Sequence, residues 1–214
     1  MGCRDLIRGE EAALSLKQQG LSVEALFVDV TDDVSILEAA EHVSATYGKL
    51  DVLINNAGIS NDGSLGQPGV SERKIFQKQF NTNLFGAMQV TEAFTPLLDK
   101  SQSPRLVFTS SRLGSLTQRT DPEDPYYSAM LPAYRTSKAA LNMLCLHYAV
   151  KHRQSSGGRW KVNAVEPGHV ATNLNGFRGP EPVESGATEI VRMAMLGADG
   201  PTGTFSSNAG IVPW

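Results

Sequence analysis

Tyr134 and Lys138 stand four residues apart in "LPAYRTSKAALNML" (residues 131–144), a stretch whose apolar spacing otherwise predicts a buried helix. Positions i and i+4 share a helix face, so the phenol and the ammonium can meet over one small patch of space. A free phenol titrates near ~10 and is a slow acid at neutral pH, whereas an adjacent ammonium favours the phenolate and lowers that value. The pair could therefore give or take a proton. An aromatic core residue beside a solvated lysine would be spelled the same way, so the elements around the pair have to decide.

Those elements alternate. "IRGEEAALSLKQQG" has helical apolar spacing and stops at Gly20, "VEALFVDV" is a short β-rich run, and "DDVSILEAAEHVSATYG" is helical, with Asp residues at its start and Gly48 past its end. "DVLIN" follows as a strand, then a helical region from about Ser71 to Leu98, and "RLVFTS" as a strand. The Tyr134 helix runs to about His152, "WKVNAV" reads as a strand, a helix lies near Val183 to Leu196, and a weak final strand lies around "GTFS". Strands separated by helices of this length predict an α/β fold, a doubly wound parallel sheet in three α/β/α layers. Without an internal repeat or low-complexity linker, residues 1–214 read as one domain.

Three strands end alike: "DVLI" runs into "NNAG", "LVFT" into "SSRLG" and "VNAV" into "EPGHVAT". Each is a continuous apolar run, as expected of a strand buried on both faces. Each then gives way to small, polar or backbone-exposing residues. The carboxyl ends of such strands line one edge of an open sheet, which is where α/β proteins bind ligands. Gly and Asn also make plain turns, but the Tyr134 helix follows the second of these endings.

The composition excludes other classes. Of 214 residues, 41% are hydrophobic and 19% charged, ordinary for a globular protein, and a net charge of −3 with scattered Lys and Arg offers no basic stripe for nucleic acid or an anionic membrane. Cys3 and Cys145 are too few and too distant in sequence for a disulfide framework, and the four histidines form no metal-ligand pattern. "MGCRDL" lacks the Ser or Thr that a myristoylation signal places where Leu6 stands, and no apolar run suits a membrane span. The expected location is cytoplasmic, and the expected partner is a small molecule, with the chain a monomer or homo-oligomer.

"NNAG", "SS", "YRTSK" and "NAVEPGHVAT", each in its place after a strand or on the following helix, resemble the short-chain dehydrogenase/reductase family over nearly the whole chain. The opening "GCRDLIRGEEA" and closing "GPTGTFSSNAGIVPW" are most similar to its carbonyl-reductase-like branch. The resemblance implies a Rossmann-like fold and a small carbonyl or alcohol substrate, with NADPH as cofactor and NAD less favoured. Tyr134 would protonate the carbonyl oxygen as hydride reaches its carbon, and Lys138 would also reach the nicotinamide ribose. Ser111 would hydrogen-bond the carbonyl, with Ser110 the competing assignment. Asn83 in "FNTNLFG" matches the family's water-holding asparagine, with Asn81 as its neighbour. Asp29 and Val30 would lie beside the adenine, Asn56, Ala57 and Gly58 near its ribose, and Val170 and Thr172 on the nicotinamide side. Arg4 would grip a ribose 2′-phosphate, where an acidic residue would favour NAD.

The sequence also departs from the family. The expected opening strand and Gly-rich turn, whose helix N-terminus would hold the pyrophosphate, have no counterpart, so the chain reads as N-terminally truncated. By resemblance the missing strand would lie mid-sheet, between the second strand and "DVLIN", leaving edges unpaired unless "VEALFV" moves across. A catalytically impaired family member acting as a binding or regulatory protein is the alternative reading, and a sugar epimerase of the extended type is a weaker one. Two further segments remain open: the polar excursion "TQRTDPEDPYYSAMLP", as pocket border or surface loop, and "NLNGFRGPEPVESG", as a short lid.

Overall fold

The computed structural model describes residues 1–214, except for the side chain of Ser155. Five strands form the main sheet: β3 (Val52–Asn55), β4 (Arg105–Thr109), β5 (Lys161–Glu166), β6 (Phe205–Ser207) and β7 (Gly210–Ile211), hydrogen-bonded in that order. β3 to β6 are parallel and β7 turns back antiparallel to β6. A second sheet holds only β1 (Gly2–Cys3) and β2 (Leu26–Phe27), also parallel.

Helices cover both faces of the main sheet. On one, Leu106 and Phe108 of β4 and Val162 and Ala164 of β5 pack against Leu141, Cys145 and Tyr148 of α6 (Pro132–Ser155). Tyr148 stacks on Phe108 with ring centroids 6.0 Å apart. On the other, the alternating residues Val107 and Val165 meet Met193 and Ala194 of α7 (Val183–Ala194). The two-residue period of a strand thus divides β4 and β5 between two buried layers. A third cluster joins Ile36, Ala39 and Ala40 of α2 (Asp33–Tyr47) to Val90, Phe94 and Leu97 of α4 (Ala87–Leu98).

α2 follows the boundary rules read from its sequence. The Asp32 carboxylate accepts the Val34 N–H at 3.0 Å, and Gly48 ends the helix at φ 74°, a left-handed conformation that glycine adopts without a Cβ clash. Leu26, Val28 and Val30, around β2, pack on the α2–α4 cluster, so the small sheet is carried by helices. "VEALFV" does not cross to "DVLIN": β2 stays on β1, and the two sheets share no ladder. An opening of about 520 Å³ lies between them, lined by Met1, Leu26, His42, Tyr47, Leu50 and Asp51 among others.

One expectation changes. β4 and β5 are buried on both faces, but β3 is not; Ile54 is 39% exposed, because β3 is bonded on one edge only. The helical region from about Ser71 to Leu98 is continuous, with α3 (Glu72–Phe80), a π-helical turn (Asn81–Gly86) and α4 in succession. α1 (Leu6–Gln18) and the short α5 (Leu116–Arg119) lie outside these clusters. No helix among the described residues is long and apolar enough to cross a membrane.

Candidate active site

The carboxyl ends of β3, β4 and β5 converge on the first turns of α6. Gly114, in the turn after β4, makes the approach possible: a Cβ there would stand 2.7 Å from the Lys138 carbonyl carbon and 2.8 Å from the Ala139 nitrogen. Only a glycine lets the Ser111 turn lie directly on the helix backbone. On that helix Tyr134 and Lys138 are both buried, and the Lys138 Nζ sits 5.7 Å from the Tyr134 ring centroid. Nζ donates to the Thr109 carbonyl at the end of β4 at 2.8 Å, one of the three bonds an ammonium can donate.

The two adjacent serines have different surroundings. Ser110 is buried and donates to Asn142 Oδ1 at 2.5 Å, a contact between β4 and α6. Ser111 Oγ accepts the Leu113 N–H at 3.2 Å and interacts with the Tyr134 phenol. It is Ser111 that shares a patch with Tyr134.

Asn83 lies in the π turn, a winding frequent at functional sites. Its Nδ2 donates to the Ile59 carbonyl (3.0 Å) and Ser137 Oγ (2.9 Å), and its Oδ1 accepts the Ile59 N–H (2.8 Å). The side chain is therefore a strut between the loop after β3 and α6, with both amide protons engaged. Asn81 is exposed.

Two buried carboxylates complete the surroundings. Asp62, in the loop after β3, accepts the backbone N–H groups of Ala133 (2.8 Å) and Tyr134 (3.1 Å) and a bond from Gln79 Nε2 (2.9 Å). Glu166, the last residue of β5, accepts the backbone N–H groups of Arg112 and Gly168. Neither residue was singled out from the sequence. Glu166 did carry a signal, since a carboxylate closing a strand buried along its whole length must be satisfied locally; Asp62, 71 residues from the N–H it caps, carried none.

The electrostatics correct the expectation for the phenol. Burial pushes Tyr134 well above its ordinary value, the Glu166 and Asp62 carboxylates push the same way, and only the Ser111 hydroxyl opposes them. Lys138 is itself pulled down from 10.5 to about 8 by burial, against the pull of Glu166. In a site this dry, desolvation sets the direction, and the phenol is favoured in its protonated form.

The expected cofactor residues follow strand ends of both sheets. Exposed Arg4 follows β1, and its charge helps lower the Asp29 carboxyl, whose main partners are the Thr31 N–H and hydroxyl. Val30 follows Asp29; its carbonyl lies where a Cβ on Gly86 would fall, 2.5 Å away. Asn56 and Ala57 are exposed after β3, and a Cβ on Gly58 would be 3.5 Å from both Asn83 Oδ1 and Lys138 Nζ. Val170 is buried and Thr172 partly so, in a loop held by the Ala171 N–H to Glu181 carbonyl bond of 2.9 Å. The unspent Nζ donors of Lys138 beside the open Gly58 backbone fit the ribose and nicotinamide of a dinucleotide. Among the described residues no Gly-rich turn opens a helix at this edge to meet a pyrophosphate.

The excursion after Ser111 resolves into α5 and an anchored turn. Arg135 Nε donates to the Ala129 carbonyl at 3.0 Å, and Arg112 lies over the Tyr126 ring and 3.6 Å from Asp124. It walls a cavity of about 250 Å³ with Leu113, Met130 and Leu131, and neither Ser111 nor Tyr134 lines it. The 173–186 segment begins with a short 3₁₀ turn (Asn173–Asn175) and places Phe177, exposed and at φ 60°, near its middle.

A profile of the family described as short chain dehydrogenase matches residues 4–182. A short-chain dehydrogenase/reductase of Stachybotrys chlorohalonatus is 36% identical over 225 residues, covering 99% of this chain and 78% of that protein. The (+)-neomenthol dehydrogenase of Arabidopsis thaliana is 32% identical, covering 95% of this chain and 85% of its own. Among solved structures, the NADPH-bound carbonyl reductase from chicken fatty liver aligns with a TM-score of 0.82 at 25% identity, over 100% of this chain and 86% of that one.

Proposed function

The chain belongs to the short chain dehydrogenase family, on its carbonyl-reductase-like side, and on that footing we propose that it is an NADP-dependent reductase of a small ketone or aldehyde, or the corresponding alcohol dehydrogenase. In this reading residues 1–214 act as one domain in the cytoplasm. The observation that carries it is the Ser111–Tyr134 contact on a helix whose Lys138 lies against the same ring.

Bound NADPH would supply the hydride. Tyr134, protonated and buried, donates its phenolic proton to the carbonyl oxygen, a form of acid catalysis typically worth ~10²–10⁴ in rate. Ser111 Oγ offers a second hydrogen bond where negative charge grows on that oxygen. Lys138 keeps two N–H directions for ribose hydroxyls, and its charge favours the phenolate that remains once the proton has gone. Asn83 and Asp62 hold the helix that carries the pair. Arg4 and Asp29 would face the adenine end, and the choice of NADPH over NADH rests on Arg4 together with the cofactor named for the chicken enzyme.

A second reading, a binding protein without turnover, draws on the missing phosphate cradle among the described residues. Titrating NADPH while following its fluorescence, then assaying a panel of ketones, aldehydes and quinones, separates the two. Turnover supports the reductase; binding of carbonyl compounds or NADPH with no turnover on any of the panel would remove it.

A further inference from the structure

We propose that Glu166 is a positioning residue, whose carboxylate fastens the Ser111 turn to the end of β5 and presents its charge to the Tyr134–Lys138 pair. This rests on the reading of Tyr134 as proton donor.

The geometry comes first. Glu166 is only 7% exposed, and a carboxylate so placed must be compensated by hydrogen bonds or charge. Among the described residues no ion pair reaches it; its partners are peptide N–H groups, that of Arg112 at Oε2 and that of Gly168 at Oε1, 2.9 Å away. The Arg112 N–H belongs to the peptide that joins Ser111 to Arg112, so the bond fixes the backbone from which the Ser111 hydroxyl projects. Gly168 adopts φ 87° and leads directly into His169 and Val170. One carboxylate therefore sets the spacing between the turn after β4 and the loop after β5.

The charge acts on the pair from the same place. At Tyr134, Glu166 reinforces burial, and at Lys138 it opposes burial. Both effects keep a proton, giving a neutral phenol next to an ammonium. The groups facing Tyr134 are Lys138 on its own helix, Glu166 from β5, Asp62 from the loop after β3 and the Ser111 hydroxyl from the turn after β4. Near Glu166, the Arg112 side chain turns away to Asp124, and the Glu181 carboxylate lies beside Gly168, 3.5 Å from where a Cβ would be. With no cation claiming it, the Glu166 charge is felt by the pair.

The test is the alkaline limb of the pH–turnover profile with NADPH and an aromatic ortho-quinone. Glu166→Gln keeps the size and loses the charge, so the limb should move to lower pH. An unchanged limb in folded Glu166→Gln overturns the electrostatic half of the proposal. The fastening half is read separately: Arg112→Pro deletes the donated N–H at the first position of its turn, after a Ser111 whose ψ of 143° suits a following proline. Arg112→Ala deletes only the side chain. Arg112→Pro should lose turnover about tenfold relative to Arg112→Ala, and equal activity of the two overturns the fastening; this pair decides alone if Glu166→Gln does not fold. If Tyr134→Phe in the parent keeps full turnover, the reading of Tyr134 as proton donor fails, while the comparison of Arg112→Pro with Arg112→Ala still decides the fastening by Glu166.

Discussion

The carboxylate of Asp62 accepts the backbone N–H of Tyr134 at 3.1 Å, across 72 residues of chain. A helix start leaves its first N–H groups unpaired, and here a carboxylate from a distant loop supplies the partner and complements the helix dipole. Leu131, which precedes the helix, offers no side-chain oxygen of its own. Replacing Asp62 by Ala should destabilise the protein by about 1–3 kcal/mol, the range for a lost cap with buried donors left unmet. Urea denaturation measures it, and a variant as stable as the parent would show that the cap is dispensable.

Tyr134→Phe should lower turnover ~10²–10⁴-fold while NADPH affinity stays within a few-fold. The ring and its packing remain and only the proton donor is lost. Steady-state kinetics and nucleotide titration on the same preparation check both halves, and activity within a factor of two of the parent would refute the assignment.

Lys138 gives a stability signature with a defined sign. Its value falls from 10.5 to about 8 on folding, so between those limits the unfolded chain binds more protons than the folded one. Stability from this group therefore rises as pH climbs from about 8 toward 10.5, and its full cost is present below 8. Lys138→Met should be more stable than the parent at neutral pH, with the advantage shrinking above pH 8. Denaturation curves at several pH values check this; a constant difference between the two proteins would exclude it. The same variant should bind NADPH more weakly.

Gly114→Ala should place a methyl against the Lys138 backbone, a clash of the kind that costs about 1–3 kcal/mol. Because relief requires the Ser111 turn to lift away from α6, turnover should fall by more than stability alone explains, even at temperatures where the variant is fully folded. Equal activity per folded molecule would argue against this coupling.

Arg4→Asp should weaken NADPH much more than NADH, by ~1.5–3 kcal/mol for one lost charge-assisted contact. Calorimetric titration with both nucleotides checks it, and a like effect on the two would remove Arg4 from the phosphate. NAD would then be the cofactor, with the chemistry at Tyr134 unchanged.

What the sequence made legible was whatever depends on period and local punctuation. The largely apolar runs at β4 and β5, the Asp32 start and Gly48 stop of α2, and the shared face of Tyr134 and Lys138 all follow from neighbours a few residues away. The π turn around Asn83 did not show, because its residues suit an α-helix equally well and the winding is set by what Asn83 reaches, Ile59 and Ser137. Asp62 and Glu166 escaped for a related reason: each acts through backbone N–H groups remote in sequence, which no residue type announces. The phenol's direction was misjudged because proximity of an ammonium can be read from spacing, whereas the dryness around Tyr134 comes only from the packed fold.

The division of the β-structure into two sheets also predicts where the molecule opens first. β1 and β2 are held by a two-residue ladder and by side chains resting on α2 and α4, while β4 and β5 are sealed between helical layers. Local openings follow such differences in burial, so amides of residues 1–30 should exchange with deuterium long before those of β4 and β5. Arg4 and Asp29 belong to that early-opening part. A nucleotide that binds them favours the closed form by mass action, so its arrival should slow exchange there most of all, and the ordering of the first thirty residues is then part of what the cofactor's binding energy must supply.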